Sequence, residues 1–181
     1  MSETNLYLYP TWPAADAAGW KKVLSVLVTK QIIAPTGEGA EEGEVWFAPG
    51  KRAEHLLKIT PPQAFEDCRA HSGNPYLIPD GDTGGYGAKC PACSTPLDDA
   101  FVAEAIVDFN EADEEDDRKK CPKCKGTLEA PKLAFGIPVA LAPSFLCFVA
   151  VASDVPHPEL VKALEEATGC PWKSLTEKVE L

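Results

Sequence analysis

The chain has 181 residues, 45% of them hydrophobic, with 17 Lys and Arg against 28 Asp and Glu, a formal net charge of −11. That length fits one ordinary domain, or one domain with a small insertion, and the apolar fraction excludes wholesale disorder. The negative charge disfavours direct binding to nucleic acid or an anionic membrane, and favours a basic protein partner or plain solubility.

The opening MSETNLYLYPTWPAAD lacks the basic start and apolar core of a signal peptide. No apolar run approaches the roughly 18 residues that span a bilayer. Within LYLY at 6–9 a strand is expected, with Tyr7 and Tyr9 on one face and Leu6 and Leu8 on the other. Thr11 suits a cap and Pro13 a first turn. The spacing of Trp20, Leu24, Leu27 and Val28 then predicts a helix over 14–30 with those four on one side. QIIAP at 31–35 and VWFAPG at 45–50 read as short strands around a Gly- and Glu-rich loop. A short helix is expected over 53–58, closed by Pro61 and Pro62. Residues 64–78 carry only a weak pattern, and PDGDTGGYG at 79–87 reads as a loop.

Next come two knuckles, Cys90-Pro-Ala-Cys93 and Cys121-Pro-Lys-Cys124. Two residues between cysteines let both sulfurs of a knuckle face one ion about 2.3 Å away. Seven cysteines with four paired as CxxC read as metal binding in a reducing compartment, so a cytoplasmic location is expected. Four protein thiolates leave no open coordination position, which points to a structural Zn²⁺. Gly126 is expected to supply the permissive residue of the second turn. The segment 88–128 resembles a zinc ribbon. Rubredoxin-like iron carriers use similar pairs but usually place glycine directly after each one. Ser94 and Lys125 stand there in this chain, so tight thiolate-shielding turns are not expected.

Between the knuckles, 98–117 holds ten carboxylates and no Lys or Arg. Phe101, Val102, Ala105, Ile106 and Phe109 mark an amphipathic segment, helical or strand-like, and Arg118, Lys119 and Lys120 follow as a basic counterweight. This block reads either as a solvated tip or as an electronegative docking surface for a basic protein, with Asp108, Glu111, Asp113, Glu114, Glu115, Asp116 and Asp117 as its contact residues. Glu38, Glu41, Glu42 and Glu44 could extend that surface, and Trp12, Trp46, Tyr86 or Trp172 could anchor a partner. Past the second knuckle, LAFGIPVALAP and FLCFVAVA read as strands broken by Pro138 and Pro143. Pro158 opens a helix to Thr168 with Gly169 as its stop, and WKSLTEKVEL reads as an edge strand or a tail.

These elements predict an α+β fold, a small mixed or antiparallel sheet with two or three packing helices, interrupted by a four-cysteine zinc-ribbon insertion. The expected body is discontinuous, 1–82 and 132–181, around an insertion at 83–131. No GxSxG, HExxH or GxGxxG motif occurs and GDTGGYG lacks the ending of a P-loop. Cys68 and His71 form a weak thiol–imidazole or metal pair, and His157 reads as a cap. Catalytic residues are therefore not expected.

A compact acidic α+β chain that opens LYLYP and closes FVAVASDVPHPELVKALEEATGCPW resembles a bacterial immunity protein. More narrowly it resembles an immunity protein of the type VI secretion system that neutralises a nuclease effector. The resemblance implies a basic nuclease toxin as partner, no direct contact with nucleic acid or membrane, and no enzymatic activity. Two other functions fit the knuckles: a zinc-ribbon adaptor contacting transcription or translation machinery, and a rubredoxin-like iron electron carrier.

Overall fold

The computed structural model describes residues 2–11, 17–36, 44–57, 64–79, 85–111 and 118–180. In chain order the elements are β1 Ser2–Pro10, α1 Ala17–Thr29, β2 Ile33–Pro35, β3 Glu44–Pro49, β4 Cys68–Ile78, α2 Asp99–Glu111, β5 Ala140–Phe148, α3 Pro158–Thr168 and β6 Trp172–Glu180. Six strands form one antiparallel sheet in the order β2-β3-β4-β5-β1-β6, so the fold is α+β. The chain divides into two compact units, residues 1–73 with 142–181, and residues 74–141. The second unit is wider than the expected 83–131 insertion. The chain leaves the first unit within β4 and re-enters it within β5.

The first unit is built on strand alternation. Leu6 and Leu8 of β1, with Leu146 and Phe148 of β5, point into one apolar cluster with Trp20, Val23 and Leu27 of α1 and Leu160 and Leu164 of α3. Burying one such side chain stabilises the fold by about 1.5–3 kcal/mol, so this face, not helix propensity, holds α1 in place. Trp20 stacks on Trp172 with ring centroids 6.4 Å apart, which joins α1 to β6. Val28 departs from the expected buried stripe at 38% exposure, while Val23 is fully buried. The stripe rotates because Val23 and Leu27 are four apart, one helical turn, and Val28 lies beyond their shared face.

The second face of the sheet carries Tyr7, whose hydroxyl donates to Glu177 at 2.9 Å, and Asn5, whose amide donates to the same carboxylate at 3.0 Å. β6 pairs with β1 from Ser2 and Glu180 through to Pro10 and Trp172, so the segment expected as an edge strand or a tail is the full-length edge strand.

Three expectations are corrected. The segment with a weak pattern, 64–78, contains the 11-residue β4, whose Gly73, Asn74 and Pro75 conceal it from strand propensity. β5 runs straight through Pro143. Its registered pairs with β1 are Leu146, Cys147 and Phe148, so the missing Pro143 N–H removes no rung of those three. The helix expected at 53–58 is a 3₁₀ turn, Ala53–Leu56. The cap and stop of α3 are as expected: His157 Nδ1 accepts from the Glu159 N–H at 3.2 Å, and Gly169 adopts φ 72° with its N–H on the Glu165 carbonyl.

Candidate metal centre

Each knuckle is a miniature hairpin, and the two match position for position. In the first, the Ser94 N–H donates to the Cys90 carbonyl, the Cys90 N–H to Thr95 and the Leu97 N–H to Ala88. In the second, Lys125 donates to Cys121, Cys121 to Gly126 and Leu128 to Lys119. Bridges Lys89 to Pro96 and Lys120 to Thr127 close both hairpins.

The tight turns form without glycine. Ser94 and Lys125, directly after each pair, take φ of 55° and 61°, in the left-handed region that costs a side-chain-bearing residue about 1–2 kcal/mol. The permissive position of the second turn is therefore Lys125 and not Gly126, and the expectation that the turns would be looser is overturned. The strain is held because each turn presents N–H groups to sulfur.

All four Sγ atoms lie within 4.8 Å of one another. Cys93 and Cys121 are 3.7 Å apart and Cys90 and Cys124 3.9 Å, each pair joining one knuckle to the other. A disulfide needs about 2.05 Å. Four sulfurs placed tetrahedrally at about 2.3 Å from one ion are separated by about 3.8 Å, which matches both pairs. The donor set thus fits a thiolate-bound metal ion. Cys121 and Cys90 are buried, Cys93 is half-buried and Cys124 exposed, so one side of the centre is open to solvent.

Hydrogen bonding prepares the thiols unequally. The Thr95 hydroxyl, 3.2 Å from Cys93 Sγ, and the Thr95 N–H lower the Cys93 thiol to about 6. The Cys124 and Lys123 N–H groups lower Cys121. The Gly126 N–H pulls Cys124 down, but the neighbouring thiols and burial outweigh it and push it up to about 11. Like thiolates crowded together cannot all ionise without a cation. Exposed Lys89, Lys120, Lys123 and Lys125 surround the knuckles and offset the negative charge that four thiolates and a divalent ion leave.

The folded Cys93 value lies below the ordinary 9.0 of a thiol, so its thiolate contribution is complete above that value and is lost as pH falls through about 6. Metal content after equilibrium dialysis is expected to fall as pH drops through about 6. Metal content unaltered at about pH 5 would contradict the thiolate-stabilising role of the Thr95 contacts.

Between the hairpins, Asp98 Oδ1 accepts from the Ala100 and Phe101 N–H groups and starts α2. Val102, Ala105 and Phe109 are its buried face, which settles the amphipathic segment as a helix. Arg118 lies over the Phe109 ring at 4.8 Å, and Lys119 Nζ reaches Glu104 at 3.0 Å and Asp108 at 3.7 Å. The basic counterweight thus folds onto the helix.

The contact residues expected from sequence separate accordingly. Asp108 is committed to Lys119, Glu111 is exposed at the end of α2, and Asp113, Glu114, Glu115, Asp116 and Asp117 lie outside the described residues, as do Glu38, Glu41, Glu42 and Trp12. Asp99 accepts from the Tyr86 N–H at 2.8 Å, so it too serves the fold. Trp46 carries the Arg69 guanidinium on its ring and Trp172 is buried against Trp20, which removes Trp172 as an anchor.

Cys68 and His71 are not brought together. Three residues apart on β4 they face opposite ways: Cys68 is in the apolar cluster, and His71 stacks on Phe145 at 4.9 Å. Sequence reasoning misses Thr95. A hydroxyl two residues past the second cysteine of a knuckle is the signal that marks it.

Among the described residues no helix is long and apolar enough to cross a membrane. Comparison with family models, curated proteins and solved structures gives no match to this chain.

Proposed function

We propose that this protein is an immunity protein of the type VI secretion type, which binds a basic nuclease toxin through an acidic surface held in shape by a structural Zn²⁺. The metal part of this reading is supported by the pair of cross-knuckle sulfur contacts, 3.7 and 3.9 Å, which clamp the two ends of the segment bearing α2, and the partner part by the ten carboxylates without Lys or Arg at 98–117. A unit so small buries little apolar surface and benefits from a metal staple. Fixing it before encounter lowers the ordering cost of binding. Asp98, Asp99, Glu104 and Asp108 are engaged within the fold and Glu111 is exposed, so the proposed contact acids are Glu111 and, outside the described residues, the sequence run Asp113 to Asp117. Such a block steers a cationic protein by long-range attraction, which salt screens.

The test is an affinity pull-down of the tagged protein from its host at low and high salt, read by mass spectrometry. One basic effector retained near stoichiometrically at low salt and reduced at high salt is the expected result. Ribosomal or polymerase subunits in its place would make the protein an adaptor and end the antitoxin reading.

A second reading is favoured by a specific observation: Ser94 and Lys125 form the thiolate-shielding turns despite lacking glycine, and Cys124 is exposed. Both properties suit a rubredoxin-like iron centre exchanging electrons at its open side. Metal analysis of protein purified without added zinc separates the two, since an iron-loaded protein is coloured and the zinc protein is not.

A further inference from the structure

We infer that the first unit contains a second, independent site, a cleft that binds a phosphate-bearing small molecule. In a chain of net charge −11, four basic or imidazole side chains from three separated segments, Lys30, Arg52, His55 and His157, line one cavity of about 290 Å³. Its floor includes the buried Ile32 and Leu160, and its only carboxylate among the described residues is Glu159. That volume stands at the lower end of small-molecule sites, about 300 Å³. The apolar floor gives an organic body a place to rest, and the cations are suited to an oxyanion.

Backbone hydrogen bonds tie the walls together above the packed Ile32 and Leu160. Lys30 follows α1 with its N–H on the Val26 carbonyl, and Gln31 then takes φ 59° to turn the chain. The Gln31 carbonyl accepts from Arg52 and the Ile32 carbonyl from Gly50, which ties the turn after α1 to the turn after β3. The His157 N–H donates to the Leu56 carbonyl at 2.8 Å, and a bridge joins Leu57 to Pro156, which brings the start of α3 to the same place. The carboxylates beside this group are Glu159 in the lining and Glu54, whose Oε1 lies 3.4 Å from His55 Nε2. Among the described residues neither Lys30 nor Arg52 is within ion-pair distance of a carboxylate. Arg52 Nη2 instead lies 3.2 and 3.3 Å from the two ring nitrogens of His55. His157 Nδ1 accepts from the Glu159 N–H, which leaves Nε2 as the ring's donor. Two permanent cations and an imidazole donor around one cleft are the donor set of a phosphate group, with Arg52 its bidentate partner.

The test uses full-length, metal-loaded protein labelled with ¹⁵N. Inorganic phosphate and a phosphomonoester, glycerol phosphate, are titrated against chloride at matched ionic strength. Saturable shifts of the Arg52, Leu57 and His157 amides with either phosphate are the expected result. Tighter binding of the phosphomonoester would assign the floor to an organic body, and equal binding would assign the site to free phosphate. Arg52→Gln is expected to weaken binding at least tenfold while leaving Tm within about 2 °C. Lys30→Gln, at an exposed position one residue past α1, serves as the second variant, with at least a threefold loss expected. Equal shifts with chloride, or unaltered affinity in both variants, would overturn the site.

Discussion

Replacing Cys121 with serine, or removing the metal with a chelator, is expected to expose the backbone of residues 88–128 while the sheet of the first unit stays closed. Cys121 is the most buried of the four ligands, and its sulfur is one half of the 3.7 Å contact across the knuckles. Without an ion, four thiols crowd together with no charge to hold them, and both left-handed turns lose what offsets their strain. Structural zinc in small domains contributes most of their folding free energy. Hydrogen exchange should therefore accelerate by about a thousandfold at Cys90, Ser94, Cys121 and Lys125, whose amides are bonded within the hairpins. Leu6, Leu8 and Leu146 in the sheet should keep their protection. Uniform acceleration across both units would show that the knuckles support the whole chain. No acceleration would show that the hairpins stand without metal.

The second large effect is at Gly50, in the first unit. A side chain at Gly50 has nowhere to go, since a Cβ built there falls on the Gln31 carbonyl oxygen and lies 2.6 Å from its carbon and 2.9 Å from the Ile32 carbon. All three are backbone atoms, so no side chain can swing aside. Gly50→Ala is expected to cost about 3 kcal/mol, a fall of roughly 10 °C in Tm for a chain of this size. Lys51→Ala, exposed and adjacent, should change Tm by less than about 2 °C and acts as the control. Metal content should be unaltered in both. An unchanged Tm for Gly50→Ala would mean that the two turns separate readily, which would also weaken the case for a preformed cleft.

Legible in the residues is what rests on local pattern. The alternation in LYLY puts Leu6 and Leu8 inward, Pro158 and Gly169 bound α3, and the CxxC spacing brings four sulfurs within 4.8 Å. What escapes depends on partners distant in sequence. β4 contains Gly73-Asn74-Pro75, which no propensity would place in a strand; its first residues are held there by β3, with Val45 on Ala70 and Phe47 on Cys68. Pro143 reads as a break in isolation, yet its missing N–H matters only where a neighbour needs it. The left-handed turns at Ser94 and Lys125 run against a glycine preference that is statistical, whereas the hydrogen bonds closing the hairpins act on these particular residues. The cleft of Lys30, Arg52 and His157 is invisible in sequence for the same reason: its residues meet only when three turns close.

The pairing of β1 with β6 has a consequence for how the protein is made. β1 lies between β5 and β6, so both neighbours are synthesised long after it. At about 5–20 residues per second, a ribosome takes on the order of ten seconds to travel from Pro10 to Trp172. Until β5 is made at Ala140–Phe148, Leu6 and Leu8 have neither neighbouring strand, and until Trp172 they lack β6, so chaperones that hold extended apolar segments have their opportunity. Both knuckles are complete well before β5 emerges, so metal capture would precede closure of the sheet. In a metal-starved cell, then, the shortage would be met while the nascent chain is still attached to the ribosome.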